Sequence, residues 1–178
     1  MKKHLVGITS AIMLLCFGTA MADHDIDLRA HLRGLNEVPP TASRATAELR
    51  AEISPDESSI SFTLSFENLT ANAAAAHIHF GPSKVTGGVM VFFCGGGGKP
   101  ACPAATSGTV TGTITAADIV GPAAQGIPAA PNGKFADVVR AIKTGNGYAN
   151  IHTANFPGGE VRGQVVVVGF GDHDDDDK

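Results

Sequence analysis

Two short segments carry the residue types best suited to chemistry: His77-Ile78-His79 and Tyr148-Ala149-Asn150-Ile151-His152. Each reads as a β-strand, and strand side chains alternate between faces. His77 and His79 therefore share one face, with Ile78 and Phe80 on the other. In the second segment His152, Asn150 and Tyr148 share a face opposite Ile151 and Ala149. If the isoleucines mark the core, all three histidines point away from it, onto the outer wall of a β-structure. Neutral imidazole is a ligand for zinc and copper, and three of them leave an open coordination position. The expectation is one metal site built from His77, His79 and His152, provided the two strands lie side by side. The ring nitrogens should then converge to within roughly 4 Å of one another. Against this stands the plainer reading of hydrogen-bonding histidines on a solvated sheet face.

Candidate supporting residues follow from facing alone. Asn150 and Tyr148 stand on the face of His152, and Glu160, Arg162 and Gln164 alternate along the last strand. Glu160 can take an imidazole N–H and fix its tautomer. The alternative pairs Glu160 with Arg162 at the surface, where an ion pair contributes little. Met90 offers a thioether near the histidine strand, but a methionine in a continuous apolar run is more often core. His31 alternates with core residues and belongs to no motif. No catalytic group emerges. No serine sits in a Gly-x-Ser-x-Gly elbow. The run Gly95 to Gly98 lacks the Gly-Lys-Ser/Thr ending and the following helix of a phosphate loop. A zinc-hydroxide mechanism would need a partnered general base, and none is visible.

The elements that must position these residues are mostly strands. Ala45, Ala47, Leu49, Ala51 and Ile53 alternate with polar residues, as do Ile60, Phe62, Leu64 and Phe66. The turn Ser54-Pro55-Asp56-Glu57-Ser58 between them completes an antiparallel hairpin with one wet face. A first strand runs through Leu28, Ala30 and Leu32, and further strands are expected at 76–80, 88–93, 108–114, 147–152 and 160–168. The 88–93 run is apolar on both faces, so it is either central or covered by the loop that follows. Thr115 and Asp118 have the spacing of a helix N-cap with an acid three residues on, and start only a short turn, because Gly121-Pro122 ends it. Phe135, Val138, Val139 and Ile142 fall at i, i+3, i+4 and i+7 and predict one short amphipathic helix over about 134–143. Asn132 is placed to cap its start and Gly145 to end it. The fold class is mainly β: an antiparallel Greek-key barrel or sandwich of about eight strands with one helix.

The ends and the composition set the compartment. Lys2 and Lys3, an apolar run over 5–17 and Ala20-Met21-Ala22 read as a secretory signal over 1–22. The apolar run is too short for a comfortable membrane span. A β domain over 23–170 and an acidic tail over 171–178 follow, the tail ending in an Asp-Asp-Asp-Asp-Lys run that matches a common engineered tag. Removing the signal takes two lysines and no acid, so the net charge moves from −4 to −6. That argues against nucleic acid and anionic membrane surfaces as partners. The mature domain is expected to be periplasmic or secreted, with no membrane span. Its two cysteines, Cys94 and Cys102, read as a disulfide in an oxidising compartment, with a two-thiolate metal site as the rival. The short loop closed this way would stabilise by roughly 2–3 kcal/mol.

Several of these motifs together resemble the CHRD domain, the domain repeated in chordin. They are Leu32-Arg33-Gly34-Leu35-Asn36-Glu37-Val38-Pro39-Pro40, Ala76-His77-Ile78-His79-Phe80-Gly81, Cys94 to Cys102 with Pro103, Gly108-Thr109-Val110-Thr111-Gly112-Thr113-Ile114, Tyr148-Ala149-Asn150-Ile151-His152-Thr153 and Pro157-Gly158-Gly159-Glu160-Val161-Arg162-Gly163-Gln164. They occur in order over about 26–168. The resemblance implies a single extracytoplasmic β-barrel or sandwich and says little about activity. A looser similarity links the His-x-His strand and the later histidine strand to the copper half of the copper–zinc superoxide dismutase fold, whose copper ligands also lie on the barrel's outer wall. Three histidines stand here against four copper ligands there, and no zinc loop of His and Asp is visible.

The expectation for function is an exported metal-binding protein. Copper is favoured by the exported setting and by the dismutase likeness, with zinc as the alternative. Its role would be copper binding, storage or delivery, and enzymatic activity is not the first expectation. A metal-free interaction module with an extracytoplasmic protein partner is the reading from another class, and a superoxide dismutase-like enzyme is a weaker third.

Overall fold

The computed structural model describes residues 24–171. The expected secretory signal and the acidic tail therefore lie outside the described residues. The chain forms β1 (Asp25–Arg33), β2 (Thr46–Ile53), β3 (Ser59–Glu67), β4 (Ala73–Phe80), β5 (Gly88–Cys94), β6 (Gly108–Thr115), α1 (Phe135–Lys143), β7 (Gly147–Thr153), β8 (Val161–Gln164) and β9 (Val166–Gly171). The β2–β3 hairpin forms in the register its pattern demands. Leu49 pairs with Leu64, and Ala51 with Phe62. All four residues are buried, while Glu48, Arg50, Ser61 and Thr63 stand on the other face. Each large apolar side chain buried this way contributes about 1.5–3 kcal/mol, which fixes the register, since a one-residue slip would expose the whole set.

The strands lie in the order β5-β4-β7-β8-β1-β2-β3-β6, all antiparallel, with β9 pairing only β1. The two ends of that order approach each other, Phe62 of β3 packing on Phe93 of β5 at 4.7 Å, so the barrel is nearly closed. Two long connections create the Greek-key arrangement. The chain passes from β3 over β6 and β5 to β4, and from β6 over β5 and β4 to β7. This interleaving makes β4 and β7 neighbours although some seventy residues separate them.

Two local expectations need correction. The strand expected over 160–168 is two strands broken at Val165, whose N–H leaves the β1 ladder and donates to Gly147 O. Beyond the break, Val166, Val168 and Phe170 are exposed. The helix begins as its apolar spacing predicts, with Phe135, Val138, Val139 and Ile142 buried. Its N-cap position is occupied by Lys134, however, with no side-chain cap from Asn132. Gly145, at φ +74°, supplies the left-handed residue after its end. The Thr115–Asp118 motif caps the short turn expected of it, a single 3-10 turn, with the Thr115 N–H donating to Asp118 Oδ2 at 2.8 Å.

The β5 run resolves to the second of its two alternatives. It lies at one end of the strand order, and Phe92 on its outer face is covered by Gly96 and Gly97. That loop is closed by the Cys94–Cys102 disulfide, so the two-thiolate metal site is ruled out. Met90 is fully buried in the core, as the plainer reading held. No helix among the described residues is long and apolar enough to cross a membrane.

Candidate metal centre

Antiparallel pairing of β4 with β7 sets His77 opposite Asn150, His79 opposite Tyr148 and Ala75 opposite His152. Residues directly opposite on an antiparallel pair share a face. The three histidines, Asn150 and Tyr148 therefore stand on one side of these strands, and Ile78, Ala149 and Ile151 fill the core on the other. The register of β4 against β5 shifts on either side of His77-Ile78, an irregularity of the kind that re-aims side chains. His77 packs its ring 4.5 Å from His79, 4.6 Å from His152 and 4.9 Å from Phe92, centroid to centroid. One ligand nitrogen from each histidine lies within 4.8 Å of the others, so the trio can hold a metal ion. That spread exceeds the expected 4 Å. Nitrogens bound at about 2.0–2.1 Å would sit roughly 3.3–4 Å apart, so modest ring rotations close the site.

The tautomers are set by the backbone. His79 Nδ1 donates to Gly87 O at 2.8 Å, and His152 Nδ1 donates to Pro157 O at 2.9 Å. Both rings are left with Nε2 as a lone-pair donor, and those two atoms are buried without a hydrogen-bond partner. Nδ1 of His77 is buried and unpartnered in the same way. A backbone carbonyl behind a metal-binding imidazole is a recurrent way to fix ring orientation. Burial pushes the His77 ring down to about 3, helped by the neighbouring His79 and His152. Burial also lowers His79 and His152, and their bonds to Gly87 and Pro157 offset it only in part. All three rings are thus neutral near pH 7, the form that binds metals.

This face is covered more closely than a bare outer wall. Tyr148 stacks on His79 with ring planes 3° apart and centroids at 4.6 Å, and the Arg162 guanidinium lies 3.4 Å from the Tyr148 centroid. Because β7 lies between β4 and β8, the tyrosine ring sits between histidine and arginine. Arg162 Nη2 donates to Pro82 O at 3.1 Å and Val85 O at 2.7 Å, pinning the 81–87 loop over the site. The Tyr148 hydroxyl accepts the Gly87 N–H from the same loop. Gln164 Nε2 donates to Gly81 O, Gly145 O and Gly147 O.

Two sequence expectations fail here. Glu160 is completely buried and accepts from Ser43 Oγ, Thr70 N–H, Thr70 Oγ1 and Thr153 Oγ1 at 2.6–3.1 Å. None of these bonds goes to an imidazole. Burial pushes its carboxyl up, but bonds from Thr153, Ser43 and Thr70 outweigh that and hold it below the usual carboxylate range. Nor does Arg162 form the expected surface pair with Glu160, since its hydrogen bonds go to the backbone carbonyls of Pro82 and Val85. The physical reason is that loops 34–43 and 81–87 cover this end of the sheet and present hydroxyls to one residue and carbonyls to the other.

Glu37, which sequence reasoning passed over, lies beside the site. It is buried, with Oε2 accepting the Val38 N–H at 3.2 Å and Oε1 unpartnered. Burial raises its carboxyl, against the Val38 N–H, the Arg162 charge and Asn150. It sits in a turn with no periodicity, and only its place in the Asn-Glu-Val-Pro-Pro motif marked it. His31 lies on β1 opposite Glu48, away from the trio.

Comparison with known proteins places this architecture. The model of one family, the CHRD domain, matches residues 28–165. No curated protein and no solved structure matches the chain.

Proposed function

The chain belongs to the CHRD domain family, a domain of extracellular type, and from that premise we propose that it is an exported copper-binding β-barrel. His77, His79 and His152 are its ligands, and its role is to bind, store or deliver a single copper ion. One observation carries the reading: His77, buried, and His79 and His152, half-buried, each keep a ring nitrogen without a hydrogen-bond partner, and one nitrogen of each lies within 4.8 Å of the others. A buried polar atom without a partner costs about 1–3 kcal/mol. A metal-free interaction module would bear that cost at three adjacent atoms, and a bound cation removes it. The disulfide suits an oxidising compartment, periplasmic or secreted. A set of three imidazoles suits copper or zinc, and copper is preferred for the exported setting that the disulfide fits.

Addition of one equivalent of copper(II), followed by electron paramagnetic resonance, tests this. The expected spectrum shows hyperfine structure from several imidazole nitrogens. It is lost or altered in His77→Ala, His79→Ala and His152→Ala proteins that remain folded. A copper spectrum identical to that of the aquo ion, or one untouched by all three substitutions, overturns the proposal.

A further inference from the structure

Five buried side-chain atoms among the described residues have no hydrogen-bond partner. Three are the histidine nitrogens, and the other two are Asn150 Oδ1 and Glu37 Oε1. Asn150 is 3 % exposed and stands directly opposite His77, between Tyr148 and His152 on the shared face. An orphaned amide oxygen at such a position calls for a physical cause. The two ends of the amide are not equivalent. Asn150 Nδ2 and Glu37 Oε1 border a single point, the place a Cβ on Gly159 would occupy, 3.1 Å from Nδ2 and in collision with Oε1. Gly159 has φ +121° and no side chain, which lets the carboxyl group and the amide approach there. A carboxylate only accepts, so it draws the NH₂ end of the amide. The carbonyl end is left for the other side, on the face where Asn150 stands directly opposite His77.

We infer that Asn150 Oδ1 is a fourth donor to the metal held by His77, His79 and His152, and that Glu37 fixes the amide in that orientation. The inference rests on the metal-binding reading above. An amide oxygen is a harder ligand than imidazole, so a centre of three nitrogens and one oxygen favours copper(II) over copper(I). Glu37 is a positioning residue: its carboxyl borders the NH₂ end of the amide beside Gly159 and is not itself a ligand.

The test is a pair of affinities, measured separately for copper(II) and copper(I), in the wild-type protein and in Asn150→Leu, which keeps the side-chain size and lacks the oxygen. Copper(II) affinity should fall by about tenfold or more, the usual loss when a metal site's supporting contacts are removed, while copper(I) affinity is retained. Glu37→Leu should shift the same balance in the same direction. An equal loss for both oxidation states means packing alone and overturns the inference, as does no loss for either. Should Asn150→Leu not fold, pulsed electron paramagnetic resonance of wild-type protein labelled with ¹⁵N-asparagine decides. A copper(II) coupling that changes with the label supports the amide ligand, and an unchanged spectrum refutes it. If wild-type protein binds neither form of copper, the three-histidine reading itself fails, an outcome distinct from failure of the fourth donor.

Discussion

Acidification of the metal-free protein should remove stability well above the pH at which carboxylates titrate. In the unfolded chain His77 takes up a proton near pH 6.5, whereas burial holds the folded ring down to about 3. Below pH 6.5 the unfolded state therefore binds more protons than the folded one, and stability falls as pH falls. The slope is about 1.4 kcal/mol per pH unit, so His77 alone costs about 2 kcal/mol between pH 7.5 and pH 5.0. His79 and His152 are lowered too and act in the same direction. Glu37 opposes them, because its raised carboxyl favours the folded state as it protonates. Glu160 and Asp118 have lowered values, and their contributions are lost only below the ordinary carboxylate range. Urea unfolding in the presence of a chelator at both pH values measures the difference. His77→Leu, which fills the space without a titrating ring, should reduce it by about 2 kcal/mol. A pH dependence identical in wild type and His77→Leu would refute the argument that a desolvated His77 is held neutral.

Two further outcomes follow from the covering loops. Glu160→Ala strips the acceptor from Ser43, Thr70 and Thr153 inside the protein, and should destabilise by about 3 kcal/mol or more in urea unfolding. A loss below about 1 kcal/mol would mean that these groups find new partners. Replacing both Cys94 and Cys102 by serine should cost roughly 2–3 kcal/mol through the freed loop, with chemical denaturation as the readout. The disulfide loop covers Phe92, which packs edge-on to His77, so the same variant should also weaken copper binding, measured by competition titration.

The sequence by itself determined the strands, the helix and the facing of the three histidines. Those follow from periodicities of 2 and 3.6 residues, which backbone geometry imposes locally. Ile78 and Ile151 are core because alternation requires it, and His77, His79 and His152 fall on the opposite face for the same reason. The nearness of β4 and β7 is different. It depends on how the β4–β5 hairpin interleaves with β6 and β7, a choice made by the global burial of apolar faces. Contacts contributed by irregular segments were equally hidden. Glu37 reaches the site from a turn, and Gly87 and Pro157 fix the imidazole tautomers through backbone carbonyls that every residue possesses. Glu160 shows the limit from the other side. Its place beside the last strand suggested an imidazole partner, and its carboxylate was taken instead by Ser43 and Thr70 from distant loops and by Thr153 at the end of β7. Facing is a local property of the chain, whereas the company a side chain keeps is decided only when the barrel closes.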